Sequence, residues 1–252
     1  MSHDISFSTK NAKQYANRYG DIEMWKNALE DAIPFYHVNG MTEPYLPAIL
    51  NTDPENVTYL KWGFIPSEFA PQIKRKPINT LKARNDRIFT DKSMYRESAE
   101  SRRCLVMLDG FFDNYHKGKN VFPHYVRMKT KEPFMVGGLW HTFTDPSDEV
   151  KTDTVTLVTT PANKELAWIH DEEPYTPESR MFFIIDKKDD EAWLHGTPEE
   201  AQALLKPLPD GVLEYYTCQP LKTVKLQHRM YLGNVPALLE PKRYKELEGK
   251  TK

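Results

Sequence analysis

The residues of this chain best suited to chemistry are polar groups set where the surrounding sequence is apolar or turning. Asp113 closes the run "RRCLVMLDGFFD" (Arg102 to Asp113), an apolar stretch that ends on a carboxylate just before the polar turn "NYHKG". A carboxylate held by a rigid strand at the lip of a pocket can accept and return protons. An acid on the shoulder of a hairpin has no such role, and the run alone fits both. His170 ends "LVTTPANKELAWIH", a strand, a polar turn and a short apolar segment. A lone histidine in that place is either a proton carrier or a satisfied surface group. In "LKARNDRIF" a single alanine separates Lys82 from Arg84. Two long cations on one extended face suit phosphate contact, or simply a solvated loop. Trp62 in "KWGFIP" stands next to Lys61 and the turn-former Gly63, where it can stack a nucleobase or anchor a core.

Secondary structure must place these groups. The spacing predicts a helix over Thr9 to Tyr19 stopped by Gly20, and a second over Ile22 to Ala32 before Pro34. Strand-rich runs follow at Val57 to Trp62, Cys104 to Phe112, Phe122 to Met128, Phe134 to Trp140, Val155 to Thr160 and Met181 to Ile185. "NYHKGKNVF" reads as a hairpin tip between two of them. A helix is expected over Asp91 to Ser101, and a short, ambiguous one around Leu166. "TPEEAQALL" carries a helix start, with Thr197 as N-cap, Pro198 behind it and Glu200 three residues on. Many irregularly spaced strands with few helices predict an α+β fold in one domain, residues 1–241. The basic residues 242–252 are expected to fray. "QHRMYLGN" (Gln227 to Asn234) is a candidate DNA-facing loop in a C-terminal part with no assigned role.

Composition narrows the classes. The chain has 252 residues, 39% hydrophobic and 28% charged, with net charge −2. That is ordinary for a soluble protein, and no run of 18 apolar residues offers a membrane span. The N-terminus lacks a basic segment leading into an apolar one, and Cys104 and Cys218 make no disulfide framework. A reducing, cytoplasmic setting is expected, with both cysteines acting as small buried hydrophobes. Zinc spacings, a P-loop and a GxSxG elbow are missing from the sequence, so neither a metal nor a cofactor is expected. Between Ile73 and Arg103 ten Lys/Arg stand against four Asp/Glu. This local excess is either a phosphate-facing patch or a solvated face.

Taken in order, five segments resemble the SRAP family (SOS-response-associated peptidase, the abasic-site processing proteins). "KWGFIP" is similar to its WGLIP segment, "LKARNDRIF" to NARAE and "RRCLVMLDGFFDNY" to RRCLVPADGFYEW. "VGGLW" (Val136 to Trp140) is similar to its AGLW strand, and Thr156 to Met181 to its TLTTxAN…IHxRMP stretch. The resemblance implies a single domain whose mixed, mostly antiparallel sheets form a barrel-like core flanked by helices. It also implies a monomer that binds single-stranded DNA at abasic sites in the DNA damage (SOS) response and makes no membrane contact. In the family, loss of Met1 exposes a cysteine whose α-amine condenses with the sugar aldehyde and whose thiolate closes a ring.

Carried over residue by residue, the resemblance implies catalytic roles at Ser2, Lys82, Asp113 and His170. It implies DNA contacts at Arg84, Trp62, Lys61, Arg87 and Thr160. His170 and Arg84 keep the family residue. Asp113 replaces a glutamate and is shorter by one methylene. Lys82 replaces an asparagine, Ser2 the cysteine, and Asn114 a tryptophan that commonly follows the glutamate. An imine can still form at the amine of residue 2 once Met1 is lost, but a hydroxyl closes a more labile ring than a thiolate does. Lys82, if buried enough to lose its proton, is a second imine-forming amine. Three readings stay open at this point. The chain caps abasic sites with impaired chemistry, binds single-stranded DNA without chemistry, or is an unrelated enzyme using His170 and Asp113 as an acid/base pair.

Overall fold

A computed structural model describes residues 3–8, 12–66, 79–170, 179–221 and 234–247. The first elements in chain order are β1 (Asp4–Phe7), α1 (Ala12–Arg18), α2 (Ile22–Leu29), β2 (Phe35–Asn39), β3 (Tyr45–Leu50), β4 (Asp53–Trp62) and β5 (Lys82–Arg84). Next come α3 (Arg96–Ser101), β6 (Arg103–Leu108), β7 (Gly110–Lys117), β8 (Asn120–Met128), β9 (Phe134–Thr144), β10 (Lys151–Pro161) and α4 (Lys164–His170). The chain ends with β11 (Arg180–Phe182), β12 (Ile184–Ile185), α5 (Asp190–His195), α6 (Pro198–Leu204) and β13 (Leu213–Thr217).

Five strands close on themselves. β3 pairs with β4 and with β6, β6 with β9, β9 with β10, and β10 returns to β4 in the one parallel step of the ring. Closure removes the open edges that a flat sheet of such apolar strands would expose. A second sheet, in the order β13-β8-β7-β1-β2, lies against the barrel. Its inward residues Ile5, Phe111, Tyr115, Phe122 and Val126 share a core with Leu46, Leu60, Trp62 and Val155 of the barrel. The expected α+β class, with a barrel-like core of mostly antiparallel strands and flanking helices, is what the chain adopts.

The run Cys104 to Phe112, read from sequence as one strand, is two strands in different sheets. β6 is buried along its whole length, so its alternation carried no sign of a break. The break falls at Asp109–Gly110. The Asp109 N–H donates to Ser6 O at 3.0 Å, and its carboxylate accepts from Ser8 N and from the Tyr15 hydroxyl. Gly110 is required by crowding, since a Cβ there would meet the Tyr125 ring at 2.4–2.6 Å. β7 and β8 form the expected hairpin, with Lys117 opposite Asn120 and Gly118 in the turn at φ 58°. That left-handed angle suits a two-residue loop between right-twisted strands.

The start of α6 has the expected capping box, Thr197 and Glu200 bonding reciprocally. α2 and α3 are shorter than their sequence patterns, and residues 91–95 precede α3 mostly as turns; the expected start of α1 at Thr9 lies outside the described residues. The basic end does not fray over residues 242–247. Lys242 N donates to Thr217 O at 2.7 Å, the Tyr244 hydroxyl donates to Cys218 O at 2.8 Å, and Leu247 is buried. Two apolar side chains outweigh the charge that pointed to solvent. Both cysteines are free and buried, and burial pushes the Cys218 thiol up to about 12.

Candidate functional site

Three strands from distant parts of the chain bring one cation and two carboxylates together. β5 pairs in parallel with β10, Lys82 opposite Leu157. Ala83 faces the core, so Lys82 and Arg84 share the other face of that strand. The residue before it is held three ways. Leu81 O accepts from the Trp62 indole N–H at 2.8 Å and from Leu157 N at 3.1 Å, while Leu81 N donates to Asn79 Oδ1 at 3.2 Å. Asp113 lies on β7 opposite His124 of β8, on the inward face with Phe111 and Tyr115. It is 2% exposed, and its Oδ1 accepts the Asn114 N–H at 3.0 Å. Asp4, on β1 between β7 and β2, accepts from His37 Nε2 and Asn39 Nδ2, both at 2.8 Å.

The electrostatics follow from this placement. Burial pushes the half-buried Lys82 amine down to about 8, while the negative charges of Asp113 and Asp4 pull the other way. His3, just before β1, is pushed down to about 4, first by burial and then by the positive charge of Lys82. His124 is also lowered by burial, against the opposing pull of Phe122 O and Asp113. Its Nδ1–H donates to Phe122 O at 3.0 Å, and its ring stands perpendicular to Trp168 at 5.5 Å. Trp168 belongs to α4, which packs on β7, the strand of Asp113. The arrangement is a depressed amine, a buried carboxylate whose charge reaches it, and imidazoles whose protonated forms burial disfavours.

The residues expected from sequence divide sharply. Lys82 and Asp113 come together. His170 is the last residue of α4, and only its backbone place is described; Ser2 lies outside the described residues, as does the loop at Gln227. Trp62 is corrected: it is fully buried, so it is no stacking surface, and it instead ties Leu81 and hence β5 in place. Thr160 is also corrected. It is fully buried, with its hydroxyl on Pro161 O at 3.2 Å, and presents nothing for DNA to touch. Lys61 is half-buried and paired with Glu43 at 2.6 Å. Arg84 forks onto Asp86 at 3.0 and 2.8 Å, which holds the Asp86 carboxyl below its usual range. Arg87 is exposed.

Among the described residues of the basic stretch, several cations are engaged within the fold. Arg103 is buried and donates to Trp193 O, Ala99 O, Glu100 O and Gly196 O. Arg102 meets Glu97 and His141, and Arg96 meets Asp91 and Glu100. Sequence reasoning missed His3, Asp4, His37 and His124. The available signals were Asp4 and His3 next to Ser2, and a histidine at the inward position of "VFPHYV" (Val121 to Val126). On the outer face of the second sheet, Asp4, His37, Asn39, Asn114, His116 and Pro123 line much of a cavity of about 290 Å³. No helix among the described residues is long and apolar enough to cross a membrane.

Comparison with known proteins identifies the family and the fold. Residues 6–223 match the family described as SOS response associated peptidase (SRAP). The chain is 28% identical over 181 residues to the abasic site processing protein YoaM of Bacillus subtilis, covering 69% of this chain and 74% of that one. It is 27% identical over 190 residues to the abasic site processing protein HMCES of Xenopus tropicalis, covering 66% and 52%. An abasic site processing protein of Saccharomyces cerevisiae is 26% identical over 178 residues, covering 67% and 45%, so the match spans about half the length of the last two. A solved structure of a protein from Bacteroides thetaiotaomicron superposes with a TM-score of 0.78 at 27% identity, over 96% of this chain and all of that one. One from Bordetella bronchiseptica, at 15% identity and a TM-score of 0.68 over 87% of this chain and all of that one, shares the fold.

Proposed function

The chain belongs to the SRAP family, and from that premise we propose that it binds single-stranded DNA at abasic sites and captures the ring-opened sugar through the Lys82 amine as a reversible imine. One observation carries the choice of amine. Lys82 feels the charges of Asp113 and Asp4, yet burial outweighs both and lowers its proton affinity to about 8. At pH 7 about a tenth of such an amine is neutral, roughly three-hundredfold more than for an ordinary lysine. A neutral amine is the nucleophile this reaction needs.

The step balances without a cofactor. The Lys82 nitrogen lone pair attacks the aldehyde carbon, a C–N bond forms, and the carbonyl π electrons pass to oxygen. That oxygen takes the proton the nitrogen sheds. The carbinolamine C–O bond then breaks, the hydroxyl leaves as water with one further proton from solvent, and an iminium remains. Asp113 is the carboxylate placed to carry these protons. Arg84, on the Lys82 face of β5, supplies the cation for the neighbouring phosphate once it leaves Asp86.

The relatives' names point to abasic sites as the target, and the departures at Ser2, Lys82 and Asp113 point away from a stable cap. A serine at residue 2 lacks the thiolate that would close a durable ring, so the adduct hydrolyses. Borohydride reduces an imine to a permanent amine link, so incubation with abasic single-stranded DNA and borohydride should trap a covalent complex. Lys82→Ala should abolish it. No adduct in the unaltered protein, or an adduct that survives Lys82→Ala, overturns the proposal. In the first case DNA binding that falls steeply with salt would identify a binding module without chemistry. In the second, the α-amine at residue 2 is the reacting group.

A further inference from the structure

The reading above leaves one buried polar atom beside Lys82 unused. His3 Nδ1 is inaccessible to solvent and has no hydrogen-bond partner among the described residues. Its proton can be located from the neighbouring bonds. Asn79 Oδ1 accepts the Leu81 N–H at 3.2 Å, so the oxygen of that amide faces the backbone and its NH₂ faces the imidazole. Asn79 Nδ2 then donates to His3 Nε2 at 3.1 Å. With Nε2 accepting, a neutral ring carries its hydrogen on Nδ1. The ring is neutral at pH 7, because burial and the adjacent Lys82 charge both oppose a second proton. The backbone is fixed as well, with Gly40 N donating to His3 O at 2.8 Å and Asp4 paired to Asn39 and Phe112.

A buried N–H donor without an acceptor costs about 1–3 kcal/mol, and such a cost is met where an acceptor arrives with substrate. The acceptor this site receives, on the reading above, is the sugar oxygen that gains electron density as Lys82 attacks. We propose that His3 is a catalytic hydrogen-bond donor, its Nδ1–H holding the aldehyde oxygen, and then the carbinolamine oxygen, against the Lys82 nitrogen. His3 transfers no proton in this role. It stabilises the oxygen while the C–N bond forms and orients the aldehyde, so that Asp113 alone handles the protons. Asn79 is a positioning residue, acting only by setting which imidazole nitrogen carries hydrogen.

The proposal rests on the imine reading, and the test separates the two. Trapping rates with borohydride are measured on abasic single-stranded DNA, and affinity on the same strand carrying a tetrahydrofuran residue, which has no aldehyde. His3→Leu should trap about ten- to a hundredfold more slowly, as expected for removing one preorganised donor, with affinity for the tetrahydrofuran strand unchanged. His3→Asn, whose side-chain NH₂ reaches the place of Nδ1, should recover most of the rate. Asn79→Asp presents only acceptors to Nε2, draws the hydrogen off Nδ1, and should slow trapping with His3 intact. The rates are compared at about pH 9.5, where Lys82 is mostly neutral in each variant. If the unaltered protein traps nothing, the imine reading falls and this one with it. If it traps and His3→Leu matches its rate, only the role of His3 falls. Equal losses of rate and affinity in His3→Leu, with no recovery in His3→Asn, reduce His3 to a packing residue. Should His3→Leu fail to fold, Asn79→Asp decides: an unchanged rate overturns the proposal.

Discussion

Two aspartates stand four residues apart in "LDGFFD", and the fold puts them to opposite uses. Asp109 sits at the crossover from β6 to β7, where its carboxylate takes the Ser8 N–H and the Tyr15 hydroxyl. Both donors belong to the N-terminal segment, so this acid fastens the end of β1 and the first helix to the barrel. Burial raises its pKa and those hydrogen bonds pull it back. Asp113, on the inward face of β7, is set instead among groups that titrate, the Lys82 amine and the His124 ring. The first carboxylate is tied to donors that cannot change state in the physiological range. The second acts through its charge on an amine that can. An acid of the first kind holds structure, and an acid of the second kind can move protons.

The comparison breaks most visibly in stability. Asp109→Ala leaves the Ser8 N–H in a crowded corner without its acceptor, while the Tyr15 hydroxyl keeps Ser8 O. An unsatisfied donor costs about 1–3 kcal/mol, so a loss of about 2–3 kcal/mol is expected in urea unfolding. Asp113→Ala removes a carboxylate whose own burial is costly, and should change stability by about 1 kcal/mol or less. Equal losses would mean that Asp113 is a structural acid like its neighbour.

How much of this was legible in the sequence depends on which residue is asked. The strands, the β7–β8 hairpin and the capping box at Thr197 follow from local chemistry, and local chemistry prevailed there. Asp113 could be singled out because a carboxylate ending an apolar run is a visible exception. Asp109 could not be told from a turn residue, because its partners lie about a hundred positions away at Ser8 and Tyr15. Trp62 was ambiguous for a related reason: basic neighbours say nothing about which way an indole points, and β4 turns this one inward. The charge excess of the basic stretch was ambiguous because a count of cations does not show that Arg103 and Arg102 are engaged by helix carbonyls and Glu97. The Lys82 environment is wholly long-range, assembled from β1, β5 and β7, and local sequence showed that position only as one of two cations on an extended face.

The two acids should also differ in their effect on the pH dependence and rate of trapping. Asp113 and Asp4 both raise the Lys82 pKa against the larger effect of burial. Asp113→Asn removes one of these charges, so Lys82 loses its proton at lower pH and the midpoint of the borohydride-trapping profile should move toward acid. The plateau rate should fall about a hundredfold, because an amide cannot carry protons to the departing water. Asp109→Asn, if it folds, should leave that midpoint in place. A common shift in both variants would mean that Asp113 has no effect on Lys82 that its neighbour at the β6–β7 crossover lacks.

The smallest expected effect tests Lys82 without any DNA. Its amine titrates near 8 in the folded chain and at its ordinary 10.5 in the unfolded one. Between those values the unfolded state binds more protons, so this group makes the protein more stable as pH rises from about 8 to 10.5. Below 8 the full cost of burying the ammonium is present. Tyr59 and Tyr95, both held up to about 12 by burial, act in the opposite sense above pH 10, since only their unfolded forms ionise there. Their contribution is the same in any Lys82 variant and cancels in a difference. The urea-unfolding free energy of the unaltered protein minus that of Lys82→Met should therefore climb with pH across this window, by about 1–2 kcal/mol once water at the half-buried amine is allowed for. Asp109 has the reverse sign at the other end of the scale: its raised carboxyl adds stability on acidification toward 3.8. A flat difference for Lys82→Met would show that the amine keeps an ordinary proton affinity. The contrast between an acid that holds and an acid that serves a reactive amine would then lose its second half.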